Sequence, residues 1–83
     1  VYSNGQFYGE LDGAGIISGS VVQLQASGYQ DFRNVPYKWS ATVPWNSTWT
    51  ATQNVNPSNL PGWWFRACGW IGSGTACTDA VKP

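Results

Sequence analysis

Histidine is absent from this 83-residue sequence, cysteine occurs only twice, and charge is scarce, with four basic and four acidic side chains giving a net charge of zero. Each shortage excludes something. Without His, and with no thiol beyond one pair, the chain cannot assemble the four protein ligands of a structural zinc site. The commonest general base, and with it the usual partner of a nucleophile, is missing too. Charged residues make up 10% of the chain, against about 25% in ordinary globular domains. Arg33, Lys38, Arg66 and Lys82 are too few to neutralise a phosphate backbone, so nucleic acid is not expected as a partner. No apolar run approaches the roughly 18 residues of a membrane span, so membrane insertion is not expected either. Scarce charge also leaves little repulsion between copies.

What is present is aromatic and turn-rich. Six Trp, four Tyr and three Phe carry too much apolar surface for a disordered chain. Apolar residues never recur at helical spacing, alternation is frequent, and ten Gly and five Pro interrupt the chain every few residues. The expectation is one all-β domain over residues 1–83. Its form is a small antiparallel β-sandwich, Greek-key or Ig-like, of about six to seven strands, with an open β-barrel as the alternative. Strands are expected at 6–11, 20–26, 37–43, 47–55, 63–71 and 75–82, with a short extra piece at 16–18. Cys68 and Cys77 lack the Cys-x-x-Cys redox spacing and are expected to form a disulfide, which implies an oxidising compartment. The sequence is read as the mature form of a secreted, extracellular chain.

Two hairpins can be placed in register. Pro44-Trp45-Asn46 fits a three-residue loop, with Asn tolerating a left-handed position, and would set Ala41 opposite Trp49 and Trp39 opposite Ala51. In the second, pairing Cys68 with Cys77 makes Gly72-Ser73 a two-residue type II′ turn. That register predicts Trp70 opposite Thr75, Ile71 opposite Gly74 and Arg66 opposite Asp79. Cys68 and Cys77 fall at a non-hydrogen-bonded pair, where side chains approach most closely. One face of this hairpin, with Phe65, Ala67, Ile71, Ala76 and Ala80, reads as core; the other carries Trp64, Arg66, Cys68, Trp70, Thr75, Cys77 and Asp79. Trp39, Trp49, Phe65 and one of Phe7 or Tyr29 are expected inside.

Catalysis is poorly supplied, and the protein is expected not to be an enzyme and to hold no cofactor. Glu10 and Asp12 are two apart on one strand face, which would suit an acid pair or a weak calcium site, but Asp12 precedes Gly13 and reads as a turn residue. Asn46-Ser47-Thr48 matches the N-glycosylation acceptor pattern. The surplus of aromatic rings is the informative feature, because several exposed rings on one small domain mark a contact surface. Trp64, Arg66 and Trp70, with Trp45 at a turn and Trp63 after Pro61-Gly62, form the expected binding set. A glycan or cell-wall polysaccharide is the first expected partner, since flat rings stack on sugars while Asn, Gln, Ser and Thr bond hydroxyls. The alternatives are a self-assembling subunit of an extracellular fibre, sheath or coat, packing against copies of itself, and a secreted inhibitor or toxin acting through the Pro44–Asn46 or Gly72–Gly74 turn.

Overall fold

A computed structural model describes residues 1–13 and 15–83. In chain order the strands are β1 (Tyr2–Ser3), β2 (Gln6–Phe7), β3 (Glu10–Asp12), β4 (Val21–Ser27), β5 (Tyr37–Thr42), β6 (Trp49–Ala51), β7 (Trp64–Ile71) and β8 (Gly74–Cys77), with one 3₁₀ turn at Pro57–Asn59. The all-β expectation holds. One layer is a four-stranded antiparallel sheet in the order β5-β4-β7-β8. The other is a narrow ribbon in which β3 pairs with β6 and, further back along the chain, β2 pairs with β1. The two layers form an incomplete sandwich and not a closed barrel.

Burial follows from alternation along the central strands. Val22, Leu24 and Ala26 point inward from β4, beside the inward Phe65 and Ala67 of β7. Phe7 from the ribbon stacks on Phe65 with ring centres 4.6 Å apart, and Val55 closes the cluster, with Trp39, Leu60 and Trp63 packed at its margin. Gly9 is a point of close approach between the layers: a Cβ there would lie 3.1 Å from Val22 Cγ2, and also 3.4 Å from Thr52 Cγ2 of its own ribbon.

The β7–β8 hairpin forms in the expected register, with Cys68 opposite Cys77, Trp70 opposite Thr75 and Ile71 opposite Gly74. The disulfide is present, with Cα atoms 4.0 Å apart. Gly72 has φ 59° while Ser73 keeps ordinary φ, as a type II′ turn requires.

Several expectations are corrected. The Arg66–Asp79 pair does not form. Thr78 still lies opposite Ala67, donating its N–H to the Ala67 carbonyl at 2.8 Å, but the next bridge joins Phe65 to Val81. Two steps on β7 therefore face three on the tail, and this one-residue bulge carries Asp79 out of register. Ile71 and Ala76 of the intended core face are exposed, whereas Cys68 on the opposite face is only 2% exposed. The ribbon does not reach far enough to cover the hairpin's end. The Ala41–Trp49 hairpin is absent as well: β5 pairs with β4, placing Trp39 opposite Leu24 and Ala41 opposite Val22. β6 pairs with β3, placing Trp49 opposite Asp12. Pro44-Trp45-Asn46 does turn, with Asn46 at φ 62°, but it carries the chain from one layer to the other. Trp49 consequently lies on the outer side of the ribbon, 52% exposed, and not in the core.

Residues 16–18 form no strand; they make turns instead, with Ile16 N–H bonded to the Gly13 carbonyl. The strand expected at 6–11 is divided at Gly9, whose N–H bonds the Thr52 hydroxyl at 2.8 Å. β1 was not anticipated. It is joined to β2 by Asn4-Gly5 at φ 53° and 75°, the two left-handed positions of a type I′ hairpin.

Candidate functional site

The expected binding set does not converge. Trp64, Arg66 and Trp70 do share the outer face of β7, as alternation requires, but Trp64 and Trp70 stand at its opposite ends. Trp64 is half-buried, with Lys82 Nζ 5.7 Å from its ring centre. Trp70 is 36% exposed. Between them, Arg66 is committed to the fold. Its Nε donates to Gln25 Oε1 at 2.7 Å, and its guanidinium lies 4.2 Å over the Phe32 ring. Gln25 Nε2 donates in turn to Gln23 Oε1 at 2.7 Å, and Gln23 Nε2 donates to Ser40 Oγ at 3.2 Å. The loop after β4 makes this possible, because Phe32 is held at φ 52° beneath the guanidinium. Trp45 stands alone on the interlayer turn, 89% exposed, beside the exposed Asn46. Trp63 points inward, packed at the core's edge.

Acid-pair chemistry gains no support. Glu10 Oε1 accepts a hydrogen bond from Trp49 Nε1 at 2.8 Å, and no cluster of three or more metal-ligating side chains occurs among the described residues. Asp31 is held below the ordinary carboxylate range: the Arg33 side chain bonds it at 3.1 Å and the Arg33 N–H bonds it at 3.2 Å. Both side chains are mostly exposed, at 66% and 59%, and belong to a loop.

The arrangement with the most recognition chemistry lies at the margin of the sandwich. β5 is an edge strand, so its inward side chains Tyr37 and Trp39 are only partly covered by the ribbon. Their rings stack at 6.3 Å with planes 14° apart, and Trp63 meets Tyr37 edge-on at 5.4 Å. Opposite them runs the segment linking β6 to β7. Asn56 caps its 3₁₀ turn by accepting the Ser58 N–H at 3.0 Å, and Pro57 fixes the turn's start. The result is an open cleft of about 350 Å³ lined by Tyr37, Trp39, Val55 and Leu60, and by Gln53, Asn54, Asn56 and Asn59. Among the described residues, no charged residue lines it. Gln53, Asn54 and Asn59 are exposed to solvent and present both donors and acceptors.

Of the expected binding residues only Trp63 touches this cleft, through Tyr37. Trp39, a ring expected inside, lines it from the margin of the core. The signal that was available is local: Gln53, Asn54, Asn56 and Asn59 place four carboxamides within one short stretch. Comparison with protein-family models, with curated proteins and with solved structures gives no match to this chain.

Proposed function

We propose that this chain is a non-enzymatic secreted module that binds a neutral glycan in the cleft between Tyr37–Trp39 and the carboxamide segment. One observation carries the reading: two stacked aromatic rings and several solvent-exposed carboxamide residues line one cleft, with no charge in its wall among the described residues. The apolar C–H face of a sugar ring gains from burial against an indole or phenol ring. Its hydroxyls need partners that both donate and accept, which carboxamides supply without the desolvation cost of an ion. The disulfide supports an oxidising, extracellular setting. No helix among the described residues is long and apolar enough to cross a membrane.

The test is calorimetric titration with cello-, xylo- and chito-hexasaccharides, repeated on Trp39→Ala and on Asn54→Ala plus Asn59→Ala. At least one sugar should bind with Kd below about 1 mM, weakened about tenfold or more by either variant, while Trp70→Ala leaves binding unchanged. Absence of heat with every sugar, or equal affinity in the cleft variants, removes the proposal.

A second reading, the self-assembling subunit, draws on the bare rings of Trp45 and Trp49, which lie outside the cleft. Exposed apolar rings of this kind are usually covered by a partner. Light scattering across micromolar to millimolar concentration decides it, since a mass fixed at 9.0 kDa eliminates assembly through those rings.

A further inference from the structure

Charge on this protein is sparse and unevenly spread. Arg33 is balanced by Asp31 at 3.1 Å. The other three cations, Lys38, Arg66 and Lys82, belong to the outer face of the four-stranded sheet. Arg66 follows the inward Phe65 and Lys38 precedes the inward Trp39, so both point outward, and Lys82 Nζ lies over the outward Trp64 ring. Among the described residues no carboxylate pairs with any of the three. The bulge after Thr78 has taken Asp79 from its place opposite Arg66, and Glu10 and Asp12 belong to the other layer.

Lys38 and Arg66 stand in one row. Both are cross-strand partners of Gln25, Lys38 on β5 and Arg66 on β7, which puts two strand spacings, about 10 Å, between their Cα atoms.

Arg66 is the pre-set member of the pair. It is half-buried, and the contacts that fix it use only part of its guanidinium: Nε donates to Gln25, and one face rests on the Phe32 ring 4.2 Å away. Neither Nη has an acceptor among the described residues. Phe32 holds φ 52°, a left-handed backbone that bulky residues rarely adopt and that persists only where its surroundings impose it. A partly desolvated cation without a counter-ion is unfavourable. Two free Nη groups in one rigid plane are the donor geometry that receives a carboxylate. Nearby, Lys38 and Ser40 are exposed, and the Ser40 oxygen accepts from Gln23 Nε2 at 3.2 Å, so its own O–H remains a donor.

Backbone pairing favours a sugar over a peptide as the carrier of that carboxylate. β4 and β7 are interior strands, bonded to neighbours on both sides. This face therefore offers nothing to a peptide main chain, which docks at strand edges. A saccharide needs only side-chain partners, and the half-buried Trp64 ring, two residues from Arg66 on the same face, adds apolar area for a sugar ring to cover.

We propose that the outer face of the sheet binds an oligosaccharide containing uronic acids, with one carboxylate on Arg66 Nη1 and Nη2 and a second on Lys38 Nζ. Gln53–Asn59 take no part, so this site stands or falls separately from neutral-glycan binding in the cleft.

The experiment titrates the ¹⁵N-labelled full chain at neutral pH and low salt with trigalacturonate, with its methyl ester, which has the same sugar chain without the charge, and with acetyl-pentaglutamate-amide. The expected result is a saturable shift of the Arg66 Nε–Hε signal and of the Lys38 and Gln25 amides with trigalacturonate, and affinity at least about tenfold weaker for the ester and for the peptide. Arg66→Lys, which keeps the charge and loses the fork, should weaken binding about tenfold. Lys38→Glu, an exposed substitution that leaves the Arg66 contacts in place, should do the same. The proposal is overturned if those signals do not move, if trigalacturonate shifts the Asn54 and Asn59 amides instead, if the ester or the acidic peptide binds as well, or if Lys38→Glu binds like the parent.

Discussion

Replacing both Cys68 and Cys77 by Ala tests how far a single hairpin crosslink holds a domain of this size. The crosslink closes a loop with a sequence separation of nine. The chain-entropy relation then gives a loss of about 2.6 kcal/mol. A chain of this length has a total stability of about 4–12 kcal/mol, so the loss is a large share of it. The structure also says where the loss falls. All four residues of β8 are exposed, and β8 pairs with β7 alone. The tail beyond it is re-anchored by reciprocal Phe65–Val81 hydrogen bonds, both 2.8 Å. Urea denaturation followed by tryptophan fluorescence should show a midpoint lowered by about 1 to 2.5 M. Hydrogen exchange at Gly74 and Ala76, the β8 residues at hydrogen-bonded pairs with β7, should rise above the global unfolding rate while Val81 stays protected. A midpoint shift below about 0.3 M at unchanged m-value would refute the loop-entropy argument. Loss of protection at Val81 together with β8 would refute the claim that the tail is held independently.

Gly9→Val should destabilise the domain by about 1–3 kcal/mol, because the added side chain overpacks the contact with Val22 and Thr52; thermal or urea melts check it. Phe65→Ala should cost about 3–5 kcal/mol, since it removes the ring stacked on Phe7 and leaves a cavity, unless the fold is lost outright. Asp31 is held below its ordinary range mainly by the Arg33 side-chain hydrogen bond. Its contribution is therefore present above the unfolded aspartate value of about 3.9 and is lost as pH falls through the lowered folded value; the carboxyl titration followed by NMR should have its midpoint below that of Asp31 in the unfolded chain, and Arg33→Ala should raise it. Lacking His and free thiols, the protein should keep a nearly constant denaturation midpoint from about pH 5 to 7.

The parts of the fold that were legible in the sequence are those where independent local signals agree. At β7–β8 the cysteine pair, the Gly72-Ser73 turn and the alternation of Phe65, Ala67 and their neighbours all fix one register. The Asn4-Gly5 hairpin was equally legible from its dipeptide alone, yet the short flanking strands hid it. Pairing across the layers was not legible. Pro44-Trp45-Asn46 has the same local chemistry whether its strands pair or part, and only the competing edges of β4 and β3 decide. That decision also moved Trp49 from inside to outside, and left Trp39 on an edge strand where it walls a cleft. The cleft itself joins a local carboxamide run to rings on β5, a contact no local pattern announces. The bulge after Thr78 shows the reverse limit, where a cross-strand charge pair consistent with the hairpin arithmetic did not survive one inserted residue.

The chain of side-chain hydrogen bonds on the outer face has a directional consequence. A guanidinium can only give protons, so the Gln25 atom facing Arg66 has to be its oxygen. That choice turns the amide nitrogen toward Gln23, whose own amide must then face the same way, leaving the Ser40 hydroxyl proton for water. One arginine on β7 thus sets the polarity of side chains as far as β5, and exchanging it for leucine would let both glutamines settle in either orientation.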